Sequence, residues 1–435
     1  MKKSGMIFAL AVIVGCNTSK DVSTGEKATI PGEIDVTKPY PVYPGCESPA
    51  GQYNRTIVLD GNAGQTLQAE LDAKRILPGD HIILTGPQGS VSASRYSQPG
   101  LVNSSQWIWL DSQGATFTKF DLRDISRIFI SRAKITSPTG NLFALAGAQQ
   151  IVLADSELYG TQDSSSWDPA AWMAAPNGIN SDNATCVSFV RNNLLNLRFG
   201  MSIFTRGQTS DVTSLKALAL NNELRNLSGD FIRPNGSDIT IQGNKAYDGY
   251  LNAADGDANH DDFIQGFAYP LGIRYSNVQI LHNYFLQTTD SSRLYQSDYQ
   301  GISVFDGNFT DYLIRGNTVL AGAYHGIAMY WGEDGVIENN TVLSIYPGNA
   351  RKLWISAPKS KQGDLSKRIV IRNNITNQIV ANADNTGVSY STNAVILPGD
   401  AGNHFESMDV INSDYDLRLL MNSVWYGMNV GAPQE

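Results

Sequence analysis

The chain has 435 residues, a formal net charge of −9, only 17% charged residues and 40 glycines. That acidic balance excludes duplex nucleic acid as a partner, because binding phosphates needs a basic face. Abundant Gly and Asn with few runs of helix formers exclude a helical protein and point to many short strands divided by turns.

Lys2 and Lys3 precede an apolar run, Met6 to Val14, that is too short to cross a bilayer as a mature helix. The run ends Ile13-Val14-Gly15-Cys16, which resembles the bacterial lipoprotein cleavage box. That resemblance implies that residues 1–15 are a signal peptide and that Cys16 carries a lipid. An ordinary signal peptide is the alternative. Asn17 stands where a retention aspartate would, so the resemblance implies an outer-membrane location in the cell envelope. In such an oxidising compartment Cys46 and Cys186 could pair, but the expectation from sequence is two separate thiols.

Residues 16–52 are polar and Pro-rich (Pro31, Pro39, Pro41, Pro44, Pro49) and read as a flexible tether. The folded domain is then 53–435. It opens with a strand at Thr56-Ile-Val-Leu59. A short one-sided helix follows over Gln65–Arg75, with Leu67 and Leu71 at i,i+4. A turn and strand come next, Leu77-Pro-Gly-Asp-His-Ile-Ile-Leu84.

From Val190 the chain repeats a β-branched strand, an Asn at a turn, and another apolar run. Taking the last Asn of each unit gives 193, 222, 244, 283, 317, 340 and 374, spaced by 29, 22, 39, 34, 23 and 34 residues. The shortest spacings fit one bare coil of a parallel β-helix, and the longer ones fit coils with inserted loops. Asn suits the turn because it tolerates the left-handed backbone region, and stacked amides can bond from coil to coil. A solenoid needs its open end covered, and the Gln65–Arg75 helix is placed to do so. The fold class is therefore all-β, a single-stranded right-handed parallel β-helix with an N-terminal capping helix, its hand following the crossover rule. Residues 382–402 read as a loop and 407–429 as a C-terminal cap.

The Asn repeat sets a register for what precedes it. Anchoring each coil on its first aliphatic residue aligns Met201, Ile264, Ile302 and Ile327. Two positions earlier lie Phe199, Asp262, Gln300 and His325; one later lie Ser202, Gln265, Ser303 and Ala328; three later lie Phe204, Phe267, Phe305 and Tyr330. Equivalent positions of a parallel sheet stack about 4.8 Å apart per coil. Asp262, Gln300 and His325 should therefore form a polar column within reach of one ligand. The aromatic column reads as core, with an exposed stacking platform as the alternative.

The stretch from Asp255 to Gln265 is the richest in cation-binding and proton-moving groups. Asp255, Asp257, Asn259 and Asp261 alternate, which gives an extended segment four oxygen ligands on one side, suited to Ca²⁺. It is not an EF-hand, since His260 stands where the loop glycine would. The bland reading is a polar turn whose aspartates cap backbone groups.

Asn259-His-Asp-Asp-Phe-Ile-Gln265, Gln300-Gly-Ile-Ser-Val-Phe-Asp-Gly307, Tyr324-His-Gly-Ile327 and Val336-Ile-Glu-Asn-Asn-Thr-Val342 resemble the pectate-lyase-like right-handed parallel β-helix superfamily. The resemblance covers roughly residues 180–375, with Phe263-Ile264 in place of its Gly-Phe pair. It implies chemistry on a carbohydrate polymer without fixing the reaction; the expectation is a monomeric enzyme that cleaves an acidic polysaccharide by β-elimination. Hydrolysis by paired aspartates, C5-epimerisation of a hexuronan, and non-catalytic exopolysaccharide binding are the alternatives.

The candidate catalytic residues are His260, Asp261, Asp262 and His325. Gln265, Gln300, Asp306, Arg274, Arg315 and Trp331 are the candidate substrate contacts, with Arg293 a further candidate to neutralise a carboxylate. Asp262 with Asp261 or Asp306 is the candidate hydrolytic pair. Trp167 and Trp172 in the 164–173 insertion are possible carbohydrate contacts. Trp107 and Trp109 read as core or cap, and His282 as a structural residue of the turn.

Overall fold

The computed structural model describes residues 39–49, 53–206, 214–251, 261–268, 273–346, 348, 351–382, 384–385, 387–409 and 414–433. Its short strands lie on three faces. Each coil visits the faces in one order, as in Glu223–Leu227 on the third, Ile232–Asn235 on the second and Ser237–Gln242 on the first. The first face is one sheet of parallel neighbours from Arg55–Asp60 to Val388–Ser391. The other two faces share a second network of parallel pairs, joined through the long strand Thr116–Arg123. The chain is thus a parallel β-helix, right-handed by the rule governing parallel crossovers. The aliphatic anchors Ile264, Ile302 and Ile327 point into the core running along its axis.

The open first coil is covered by a helix over Leu67–Asp72, shorter than the sequence pattern suggests. Thr66 stays extended as N-cap and accepts from the Ala69 amide at 3.3 Å, while Lys74 turns left-handed and ends the helix. Leu67 and Leu71 are the buried stripe, and the Gln88 amide oxygen accepts from the Leu67 N–H at 2.8 Å.

The Asn ladder occupies the corner between the first and third faces. It runs through Asn192, Asn222, Asn244, Asn283, Asn317, Asn340, Asn374 and Asn393, each Nδ2 donating to the next Oδ1 at 2.9–3.0 Å. Two points correct the sequence reading. The ladder residue of the 190–194 unit is Asn192, not Asn193. The left-handed residue is also the one before each ladder Asn, as at Arg191, Asn221, His282 and Asn339. The turn uses that residue to bend from the first face to the third, so the following Asn points inward and the next begins a strand. His282 thus has the structural place expected of it.

Residues 39–49, read from sequence as part of the tether, are packed against the outside of the first face. The Tyr40 hydroxyl bonds Asp155 and its ring lies 4.9 Å from Phe129. The Tyr43 hydroxyl accepts from Asn277 Nδ2 at 3.1 Å. Glu47 pairs with Arg127 at 2.9 Å. Between these points Cys46 and Cys186 form a disulfide with Cα atoms 5.6 Å apart. This corrects the expectation of separate thiols: packing of the two tyrosines brings Cys46 onto the sheet. The bond closes 140 residues of sequence, a long loop whose cross-link restricts the unfolded chain strongly. Cys186→Ser is expected to lower unfolding free energy by about 2–4 kcal/mol. Denaturant titration of the variant, and of wild type with and without reductant, checks this.

Residues expected to be a loop over 382–402 include further coil strands at Val388–Ser391 and Ala394–Val395. Beyond them an antiparallel pair, Phe405–Asp409 with Asp414–Leu419, packs Phe405 and Leu417 beside Leu320, Leu343 and Ile396. The C-terminal segment, expected as a cap over 407–429, thus packs against the side of the coils, across the third-face strands Tyr284–Leu286, Thr318–Ala321 and Thr341–Ser344.

Candidate active site

The site lies at the start of the second-face strands. The register is the expected one: Asp262 pairs with Gln300, Ile264 with Ile302 and Ile302 with Ile327. Gln300 and His325 therefore stand at equivalent positions, and His325 Nδ1 lies 2.5 Å from Gln300 Oε1. Glycine follows each of these two residues for a steric reason. A Cβ on Gly301 would meet the Gly326 carbonyl oxygen at 2.1 Å, so the coils could not close here with any other residue.

The second face has one more coil than the register of Met201, Ile264, Ile302 and Ile327 contains. Ile232 pairs with both Met201 and Ile264, so the strand Ile232–Asn235 belongs to the same face. Two positions before Ile232 is Asp230, and one after is Arg233. The column is therefore Asp230, Asp262, Gln300 and His325. The same anchor rule applied to Ile232 finds both missed residues.

The chemistry of the column is specific. Asp230 and Asp262 are each about 1% exposed. Asp230 Oδ1 accepts from the Asp262 backbone N–H at 2.8 Å, and its Oδ2 accepts from Arg233 Nε at 2.6 Å. Burial first, and the charge of Asp230 second, hold the Asp262 carboxyl well above the usual carboxylate range. Gln265 Nε2 donates to Asp262 Oδ2 at 3.2 Å. Asp262 Oδ1 and Gln300 Nε2 are buried without a protein partner among the described residues. A buried acceptor or donor left this way is costly unless something else completes it.

His325 is half-buried. Gln300 Oε1 can only accept, so His325 Nδ1 carries the hydrogen of this bond. The Tyr330 hydroxyl lies 3.4 Å from His325 Nε2. Burial, then neighbouring Tyr324, raises the Tyr330 phenol and keeps it protonated. The column thus offers a carboxyl group with its acidity suppressed, an amide N–H and an imidazole at successive coils.

Other expected residues fall in various places. Asp261 is buried beside the column, and with burial and Asp230 it raises the Tyr299 phenol. Asp306 sits at the end of the Gln300–Phe305 strand, bound by Lys361 Nζ at 3.2 Å. Trp331 turns left-handed after Tyr330, and its N–H donates to the Pro358 carbonyl. Arg274 and Arg315 are on the first face, away from the column. Arg274 donates to Asn308 at 2.8 Å, and Arg315 to Glu338 at 2.6 Å. Arg293 lies over the Tyr250 ring at 5.4 Å and donates to Ser164. Trp172 is about 1% exposed and stacked 4.3 Å from Tyr250. It anchors the 164–173 insertion and makes no ligand surface. Trp109 stacks on His81 at 4.1 Å, a packing role as expected.

The aromatic column faces outward and is interrupted by Asn235, which accepts from the Phe267 N–H at 2.9 Å. Cys16, His260, Asp255, Asp257 and Asn259 lie outside the described residues, so of the proposed Ca²⁺ ligands only Asp261 is placed. Among the described residues no group of three or more His, Cys, Asp or Glu side chains is gathered to hold a metal.

No known family model and no curated protein matches the sequence. Similar solved structures include PfbA, a surface adhesin of Streptococcus pneumoniae, at 10% identity over 74% of this chain and 79% of that one, TM-score 0.39. Pectate lyase Pel9A is similar at 13% identity over 86% and 91%, TM-score 0.36. An alginate lyase from Paenibacillus sp. str. FPU-7 is similar at 14% identity over 72% and 97%, TM-score 0.37.

Proposed function

We propose that the protein cleaves an acidic polysaccharide by β-elimination at the Asp262–Gln300–His325 column. The observation that carries this reading is the order of groups along the column: acid, amide donor, base. Gln300 Nε2 would hold the uronate carboxylate and stabilise the enolate. His325 Nε2 would take the C5 proton. As the C4–O4 bond breaks, a C4–C5 double bond forms, and Asp262 Oδ1 gives its proton to the leaving oxygen. Each group is preset for its step, which is what general acid–base catalysis requires.

A second reading has its own support. Asp230 and Asp262 are carboxyl groups on adjacent coils, one ion-paired to Arg233 and one held neutral. That is the asymmetry a glycoside hydrolase needs between its ionised carboxylate and its acid. It replaces the Asp262 pairings with Asp261 or Asp306 inferred from sequence. Asp262 is the acid in both schemes; they differ in whether His325 or Asp230 is its partner.

The test is a screen of polyuronates, read for reducing ends and for the ultraviolet absorbance of an unsaturated uronate. β-Elimination predicts both signals together. Reducing ends without absorbance would replace it with hydrolysis, and no product from any polymer would reject the enzyme reading. Running the screen with and without EGTA tests the Ca²⁺ proposal for Asp255, Asp257, Asn259 and Asp261. A requirement for Ca²⁺ supports it, and equal rates reject it.

A further inference from the structure

Three cations stand on aromatic rings along the outside of the second face. Arg206 lies over Phe204, with Cζ 4.8 Å from the ring centre. Arg233 lies over Phe199 at 3.7 Å and reaches Phe267 at 5.9 Å. Lys361 Nζ lies 5.4 Å over Phe305. Register places Phe204 opposite Asn235, and Phe267 opposite Phe305. The three stations therefore follow one another along the helix axis and pass beside the acid–base column.

Each cation also has a carboxylate, and in every pair the carboxylate is the deeper partner. Arg206 is 68% exposed against 22% for Asp182, Lys361 is 68% against 22% for Asp306, and Arg233 is 22% against 1% for Asp230. The outermost charge of each station is thus positive, on a chain whose net charge is −9. The ring faces beneath are already occupied by the cations, which favours them as supports for charge over platforms for a sugar.

We propose that these stations form an anion-selective track for a linear polyanion lying along the axis, with Phe204, Phe199 and Phe305 as pedestals that hold Arg206, Arg233 and Lys361 outward. The proposal rests on the reading that this face takes the polymer, and it holds for elimination or hydrolysis alike. One turn of the coil advances about 4.8 Å, so the track spans several coils and its contacts add along the polymer.

Affinity electrophoresis in gels containing polygalacturonate or alginate, and the same polymers after carboxyl reduction, tests the track. Arg206→Gln with Lys361→Gln, both at exposed positions, is expected to weaken binding of at least one acidic polymer tenfold or more and to leave binding of the reduced polymer within twofold. Added salt should shrink the difference, since exposed charges are screened. Arg233→Gln should act the same way, and Arg233→Lys should restore part of the loss. Thermal melts of each variant identify any loss due to unfolding, and the exposed double variant keeps the test decisive if Arg233→Gln unfolds. Equal weakening on acidic and reduced polymers, or none on either, overturns the track while leaving the polymer-binding reading intact. If wild type binds no acidic polymer in these gels, both fall.

Discussion

Asp262→Asn is expected to lower turnover about a thousandfold and to leave the protein at least as stable as wild type at pH 8. The two effects have one cause. The Asp262 carboxyl is raised well above its ordinary value of 3.8 by burial and by Asp230. Between that ordinary value and the raised one, the folded state keeps a proton that the unfolded state has released. The unfolded state then binds fewer protons, so stability falls as pH rises through this window. Asparagine cannot ionise, and its amide oxygen can still accept from Gln265. The melting-temperature difference should therefore move in favour of the variant from pH 4 to pH 8, while the proton needed by the leaving oxygen is gone. Melting curves and kcat/KM measured across pH check both halves. A variant that turns over normally and melts lower at every pH would make Asp262 a structural residue.

Asn317→Ala is expected to cost about 4–6 kcal/mol, because several buried groups lose partners at once. Asn317 Oδ1 accepts from both the backbone N–H and the Nδ2 of Asn283. Its own Nδ2 donates to the Ile280 carbonyl at 2.8 Å and to Asn340 Oδ1 at 2.9 Å. Alanine orphans the two Asn283 donors and the Ile280 carbonyl and leaves a void in a packed corner. Replacing an exposed turn residue beside the ladder, such as Asn221→Gly, should cost little, since it removes no ladder bond and glycine takes the left-handed conformation freely. Urea titrations of the two variants check the contrast. Similar midpoints would mean that the ladder contributes no more than its exposed turns do.

The Asn periodicity carries much of the fold because the ladder is a backbone requirement repeated in every coil. The column was legible for the same reason: Gly301 and Gly326 mark close coil contacts, and Ile264, Ile302 and Ile327 fill one core line. Asp230 and Arg233 were hidden by Pro234, which reads as a strand breaker although the coil tolerates it. The packing of residues 39–49 was hidden because the segment has no periodicity; Tyr40, Tyr43, Cys46 and Glu47 carry its contacts. Arg274 and Arg315 look eligible in sequence because spacing does not say which of three faces a strand end occupies. Structure places both on the first face, holding Asn308 and Glu338.

The most direct test of the central claim compares His325→Ala with Asp230→Asn on whichever polyuronate wild type degrades, following the absorbance of the unsaturated product. The account predicts that wild type forms absorbance and reducing ends in step, that His325→Ala forms neither, and that Asp230→Asn still forms both. Reducing ends without absorbance, retained by His325→Ala and lost in Asp230→Asn, would contradict it and move the reaction to the paired aspartates.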